Sequence, residues 1–229
     1  MSLPGTPDRI LVRIWDLPLR LFHWSLVLFF ALAYLTGGEE GYYPVHKAAG
    51  IAILGLLIFR IFWGFVGGRS ARFATFLRGR RAVVDHLREL AHRRHQAADS
   101  HNPLGGWAVV VMLILILFEV ISGLFSSTFD YEGPLARLLP DVWTGVMANL
   151  HALNSSLLIA MVALHLTGIA ATSILGRENL VAGMMHGGRR LPMDLVRSGH
   201  DVPWWRAALI AAVAAGLVWA LLSIPRFLG

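Results

Sequence analysis

Five stretches of the chain are apolar over transmembrane length: residues 18–37, 46–66, 104–125, 149–173 and 206–224, separated by polar, arginine-rich segments. At about 1.5 Å rise per residue, about 20 apolar residues cross the roughly 30 Å of bilayer hydrocarbon. The pattern predicts an all-α, polytopic transmembrane helix bundle, since helices satisfy their own backbone hydrogen bonds in lipid. Between the second and third stretches, Val83, Val84, Leu87, Leu90 and Ala91 recur at helical spacing among Arg88, Arg93 and Arg94. That spacing predicts an amphipathic helix on the membrane surface. A short interfacial helix is expected around residues 133–147, limited in length by Pro134 and Pro140. Trp15, Trp24, Trp63, Trp107, Trp143, Trp204 and Trp205 fall near the ends of the stretches, where an aromatic belt forms.

Composition narrows the class further. Of 229 residues, 56% are apolar and 15% charged, and the mean hydropathy is +0.60, which is too apolar for an ordinary soluble domain. The net charge of +6 does not point to nucleic acid, because the cations sit in segments flanking apolar spans. The chain has no cysteine, which excludes covalent haem through Cys-x-x-Cys-His, iron–sulfur clusters, thiolate metal sites and disulfides within it. Any metal chemistry rests on His, Met or carboxylates.

The cations also set an orientation. One side receives Arg9, Arg13 and Arg20, then Arg69, Arg72, Arg78, Arg80, Arg81, Arg88, Arg93 and Arg94, then Arg177, Arg189, Arg190, Arg197 and Arg206. The other receives Lys47, Arg137 and Arg226 beside Glu39, Glu40, Asp130, Glu132 and Asp141. The positive-inside rule then places the N-terminus in the cytoplasm and the C-terminus outside. Ala31-Leu32-Ala33 faintly resembles a signal cleavage site, but a long basic region with Asp16 and Pro18 precedes it and His23-Trp24 interrupts the apolar run, so the first span is expected to be retained.

Ionisable side chains inside spans are costly and usually functional. His151 and His165 lie fourteen residues apart in one apolar run, about 21 Å along a helix and within about 40° of the same face. With alternating span directions, His46 falls at the depth of His151 on the outer side, and His23 at the depth of His165 on the inner side. A single such histidine is more simply a buried polar residue bonded to a carbonyl. Four of them sorted into two depth-matched pairs point to two bis-histidine haems, His46 with His151 and His23 with His165. Bis-histidine ligation fills both axial positions of the iron and favours electron transfer over chemistry at the metal. His86, His92, His95 and His101 of the long inner segment are expected to be solvated surface residues.

Four motifs carry a family resemblance. Arg13-Ile14-Trp15-Asp16-Leu17-Pro18-Leu19-Arg20-Leu21-Phe22-His23-Trp24 resembles the opening of the prokaryotic cytochrome b561 and Ni,Fe-hydrogenase b-type cytochrome superfamily. His46-Lys47-Ala48-Ala49-Gly50, with Arg60-Ile61-Phe62-Trp63-Gly64-Phe65-Val66-Gly67, is similar to its second helix, and Asn102-Pro103-Leu104-Gly105-Gly106 to the start of its third. His151 and His165 are similar to its fourth-helix pair. The resemblance covers about residues 10–175 and implies a di-haem b electron carrier of the bacterial inner membrane that exchanges electrons with quinone and a partner. It carries the axial-ligand roles onto His23, His46, His151 and His165. The fifth span has no counterpart in the simplest four-helix members. The expected division is a four-helix di-haem domain over residues 1–175, then a cytoplasmic connector and fifth transmembrane helix over residues 176–229.

Supporting residues follow from depth. Arg60 lies fourteen residues beyond His46, at the level of the inner haem, where it could pair with propionates; Arg20, and Lys47 for the outer haem, could do likewise. For each the alternative is a side chain snorkelling to the interface. Gly50, Gly55 and Gly64 would let a porphyrin or a neighbouring helix approach. Glu119, the one carboxylate within a span, is expected near the level of His46 and His151. It either takes a proton from a quinol or bonds a ligand histidine, or faces inward as a neutral acid. Met112, Met147 and Met161 are expected to pack. The expected function is electron transfer between the quinone pool and a periplasmic c-type cytochrome or a hydrogenase-like dehydrogenase, with no catalytic residue in this chain. A stand-alone superoxide:quinone oxidoreductase and a haem-free membrane scaffold are the alternatives.

Overall fold

The structure, a computed structural model, describes residues 9–38, 40–91, 103–176, 179–192 and 202–228. Among the described residues, five helices are long and apolar enough to cross a membrane: α1 (Leu17–Thr36), α2 (Tyr43–Val66), α5 (Pro103–Phe125), α6 (Asp141–Gly176) and α8 (Trp204–Leu228). The protein is a multi-pass, all-α helix bundle. Between the long helices lie α3 (Phe73–Phe76), α4 (Arg80–Ala91) and α7 (Leu180–His186); of two short strands among the described residues, β1 (Arg9–Arg13) precedes α1 and β2 (Gly188–Pro192) follows α7.

Local chemistry explains the ends. Asp16 caps α1, its carboxylate accepting from the Leu19 amide at 2.8 Å, and Pro18 pre-sets the first turn. The same carboxylate accepts from the Trp63 indole at 3.2 Å and the Gly68 amide at 3.1 Å, tying the start of α1 to the end of α2. Trp63 and Trp15, expected in an aromatic belt, are instead buried, at 0% and 7% exposure. The indole of Trp63 finds an acceptor in the half-buried Asp16, so packing inside the protein outweighs an interfacial position. Asn179 caps α7 through the Ala182 amide at 2.8 Å. Gly187 closes α7 with φ +83°, and a Cβ there would lie 2.9 Å from the Trp15 carbonyl oxygen.

Helix packing runs α1 on α2, α2 on α5 and α5 on α6, while α8 packs on α2. Gly55 of α2 meets Val218 of α8. Nine residues beyond His46 it lies about 180° around the helix, so α8 covers the face of α2 opposite His46. One core gathers Ile53, Leu57, Ile116, Val120, Leu135, Leu158 and Val218, and a second gathers Trp15, Leu19, Phe22, Phe59, Trp63 and Ala214.

Two features differ from the sequence expectation, and a third agrees with it. No separate interfacial helix forms over residues 133–147: after a 3₁₀ turn at Ala136–Leu138, α6 begins at Asp141 and runs unbroken for 36 residues. Pro140 stands just before it and accepts from the Trp143 and Thr144 amides, so the proline starts the helix rather than interrupting it. The strands β1 and β2 pair antiparallel, Ile10 opposite Leu191 and Val12 opposite Arg189, which the spans did not foretell. The amphipathic helix does form, as α4, with α5 packed against it; the side chain of His86 and residues His92, His95 and His101 lie outside the described part.

Candidate functional site

α2 and α6 bring His46 and His151 together, with ring centroids 6.0 Å apart and planes at 83°. Each ring is anchored by the preceding long helix. His46 Nδ1 bonds the Ala33 carbonyl of α1 at 2.8 Å, and His151 Nδ1 bonds the Glu119 carbonyl of α5 at 2.9 Å. A carbonyl only accepts, so both bonds place the proton on Nδ1 and leave the Nε2 lone pair for a ligand.

The rings border a cavity of about 640 Å³ walled by α1, α2, α5 and α6, with Tyr34, Gly50, Val120, Tyr131 and Ser155 among its lining residues. A Cβ on Gly50 would meet nothing within 4 Å, so this glycine widens the cavity, whereas Gly55 faces α8 and Gly64 faces Phe73. Glu119 points into the same region. One carboxylate oxygen accepts from Asn154 at 2.6 Å, and the other approaches His151 Nε2 at 3.5 Å. Asn154 is buried and also donates to the Leu115 carbonyl at 2.9 Å. At the mouth, Lys47 donates to the Glu132 carbonyl at 3.1 Å and lies over the Tyr131 ring. Burial, reinforced by the nearby Tyr43 phenol, raises the Tyr131 pKa above its ordinary value, so the phenol is neutral at physiological pH.

At the other end of the bundle stand His23, His165, Arg20 and Arg60. His23 lies edge-on to Trp24 at 5.1 Å and within electrostatic reach of His165. Arg60 is only 3% exposed, with its guanidinium over the rings of Phe73 and Phe22 at 4.7 and 6.0 Å. Arg20 donates to the Met185 carbonyl at 2.5 Å. His23 Nδ1, Arg20 Nε and one terminal nitrogen of Arg60 are buried without a hydrogen-bond partner among the described residues.

The model of the prokaryotic cytochrome b561 family matches residues 14–187, which contain all four of these histidines. The chain belongs to the prokaryotic cytochrome b561 family. Its relatives include the "Probable Ni/Fe-hydrogenase B-type cytochrome subunit" of Rhizobium leguminosarum bv. viciae, 26% identical over 216 residues, covering 80% of this chain and 90% of the relative. The "Probable Ni/Fe-hydrogenase 1 B-type cytochrome subunit" of Escherichia coli (strain K12) is 25% identical over 211 residues, covering 77% and 89%. The Azotobacter vinelandii "Probable Ni/Fe-hydrogenase B-type cytochrome subunit" is 25% identical over 224 residues, covering 80% and 90%. Membership makes this chain a membrane b-type cytochrome, an electron-transfer protein that uses haem b.

The cytochrome's residues fit that group. Two metal–nitrogen bonds of about 2 Å, plus about 1 Å from each nitrogen to its ring centre, set bis-imidazole rings about 6 Å apart, and His46 and His151 stand at 6.0 Å. The volume lies within the roughly 300–1,000 Å³ of cofactor pockets. At the opposite end, unpartnered nitrogens on Arg20 and Arg60 suit an anionic substituent. The sequence pointed to these histidines and arginines, but not to Asn154, Tyr131 or Ser122, whose buried hydroxyl lies 3.3 Å from His151 Nδ1.

Proposed function

We propose that this cytochrome carries electrons across the bacterial inner membrane between quinone and a redox partner, through two b haems. His46 and His151 hold the outer haem, and His23 and His165 the inner one. The observation that carries the reading is the His46–His151 geometry: rings 6.0 Å apart, each with Nδ1 committed to a carbonyl. Bound haem would supply a one-electron iron couple, and ligation by two histidines would commit it to exchanging electrons rather than binding substrate.

The residues divide the remaining work. The Ala33 and Glu119 carbonyls hold the outer imidazoles in the ligating tautomer. Arg60, buried with an unpartnered nitrogen, and Arg20 pair with carboxylate substituents of the inner haem. Lys47, at the cavity mouth, takes that role for the outer haem. The fourteen-residue spacing of His151 and His165 puts these two side chains about 21 Å apart along α6, toward opposite ends of the bundle.

The arginine bias supports a cytoplasmic N-terminus and a periplasmic C-terminus. Residues 1–175 form the di-haem domain, and residues 176–229 form the connector and fifth helix, which braces α2 from behind. The names of the relatives support a hydrogenase-like dehydrogenase as the partner at the outer haem, with a c-type cytochrome as the other candidate. The test is haem content after single substitutions. His46→Ala and His151→Ala should remove the same haem, while His23→Ala and His165→Ala remove the other. A histidine whose loss leaves both haems in place is not a ligand.

A further inference from the structure

The two histidines of the His46–His151 site are held by one construction used twice. His46 Nδ1 bonds the carbonyl of Ala33, and Gly37 lies four residues further along the same helical path. His151 Nδ1 bonds the carbonyl of Glu119, and Gly123 again lies four residues on. Helix side chains lean toward the N-terminus, so the residue at i+4 covers the carbonyl of residue i. In a regular helix that carbonyl already accepts one backbone bond, and a ring from a neighbouring helix reaches it past the i+4 side chain; at Glu119 the Ser122 hydroxyl also donates to the same oxygen, at 3.0 Å.

The built positions show the consequence. A Cβ on Gly37 would lie 3.1 Å from both Nδ1 and Cε1 of His46 and 3.2 Å from the Ala33 oxygen. A Cβ on Gly123 would lie 3.0 Å from Cε1 and 3.2 Å from Nδ1 of His151. These approaches are tight enough to push either ring off its carbonyl by a few tenths of an ångström. Gly145 of α6, by contrast, has nothing within 4 Å of its Cβ position.

We infer that Gly37 and Gly123 are positioning residues: each uncovers the Ala33 or Glu119 carbonyl so that it can bind Nδ1–H of His46 or His151, setting ring orientation and ligand basicity at that site. The inference rests on the proposed ligand role of those two histidines. A strong Nδ1–H···O=C bond makes the imidazole more basic and favours the ferric iron, so weakening it raises the midpoint potential of that haem. His23 Nδ1 has no such partner among the described residues, so the two haems differ in this respect.

The test uses the full-length, haem-loaded protein purified in detergent, read by redox titration and by EPR of the ferric state. Gly37→Ala and Gly123→Ala should each raise the potential of one and the same couple. The expected change is about tenfold in the ferric-to-ferrous binding ratio, or about 59 mV for one electron. The low-spin signal of that haem, strongly anisotropic for near-perpendicular imidazole planes, should shift as well, while Gly145→Ala changes neither. Unaltered potentials and EPR in both alanine variants, with haem retained, would overturn the inference.

If an alanine variant fails to assemble, the wild-type protein decides. Nitrogen-15-labelled histidine should show one ligand pair with hydrogen-bonded Nδ1–H, and solvent-exchanging Nδ1–H on every ligand contradicts the inference. The ligand reading fails separately, if His46→Ala and His151→Ala retain both haems.

Discussion

The two ends of the bundle solve the same problem differently. At the His46–His151 end the protein satisfies its own polar groups: both Nδ1 atoms meet carbonyls, and Glu119 is held by Asn154. At the His23–His165 end, His23 Nδ1, Arg20 Nε and an Arg60 nitrogen lie buried without partners among the described residues. Buried polar groups cost about 1–3 kcal/mol each when unsatisfied, so the second end stores a demand that an anionic group can meet. One end is preorganised by backbone carbonyls; the other leaves buried nitrogens without partners among the described residues.

The largest test of this contrast removes ligands. His46→Ala or His151→Ala should abolish one haem and transmembrane electron transfer while the other haem keeps its potential, as measured by pyridine haemochrome assay and redox titration. Next in size is Arg60→Met. Haem retention at the His23–His165 end should fall about 10–100-fold, the usual cost of losing an outer partner of a metal site. The haem-free chain should be no less stable to heat, because methionine removes a buried charge. An Arg60→Met protein that loses stability but keeps its haem affinity would make Arg60 a packing residue.

A smaller effect is expected of Asn154→Ala. It deprives the Glu119 carboxylate and the Leu115 carbonyl of their donor, costing about 1–3 kcal/mol in unfolding assays and disturbing only the His46–His151 couple. Arg137→Ala should be the mildest. Its ion pair with Glu132 at 2.9 Å is highly exposed, so melting temperature and both potentials should match the unaltered protein, and a shift in either would give the outer loop a role in the site.

What the sequence revealed depended on the range of the physics involved. Helix rise and twist are local rules, so the spans and the common level of His46 and His151 followed from counting residues. The register between helices is not local. Nothing in Ala33 or Gly37 announces that His46 will lie against them, and Asn154 resembles any polar residue until Glu119 is placed opposite it. Trp63 reads as a belt residue because its partner, Asp16, lies 47 positions away on another helix, and Trp15 because its apolar cluster is assembled from several helices. The β1–β2 ribbon joins the segment before α1 to the segment after α7, and α6 begins early because Pro140 lies ahead of its first turn, where a missing amide costs no helix hydrogen bond.

The most direct test of the central claim is the haem-to-protein ratio of the purified chain, measured with a redox titration of its reduced-minus-oxidised spectrum. The account predicts a low-spin b-type spectrum, two haems per chain and two separable one-electron couples. One haem and one couple would show that one histidine pair is not a ligand pair, contradicting the relay across the membrane.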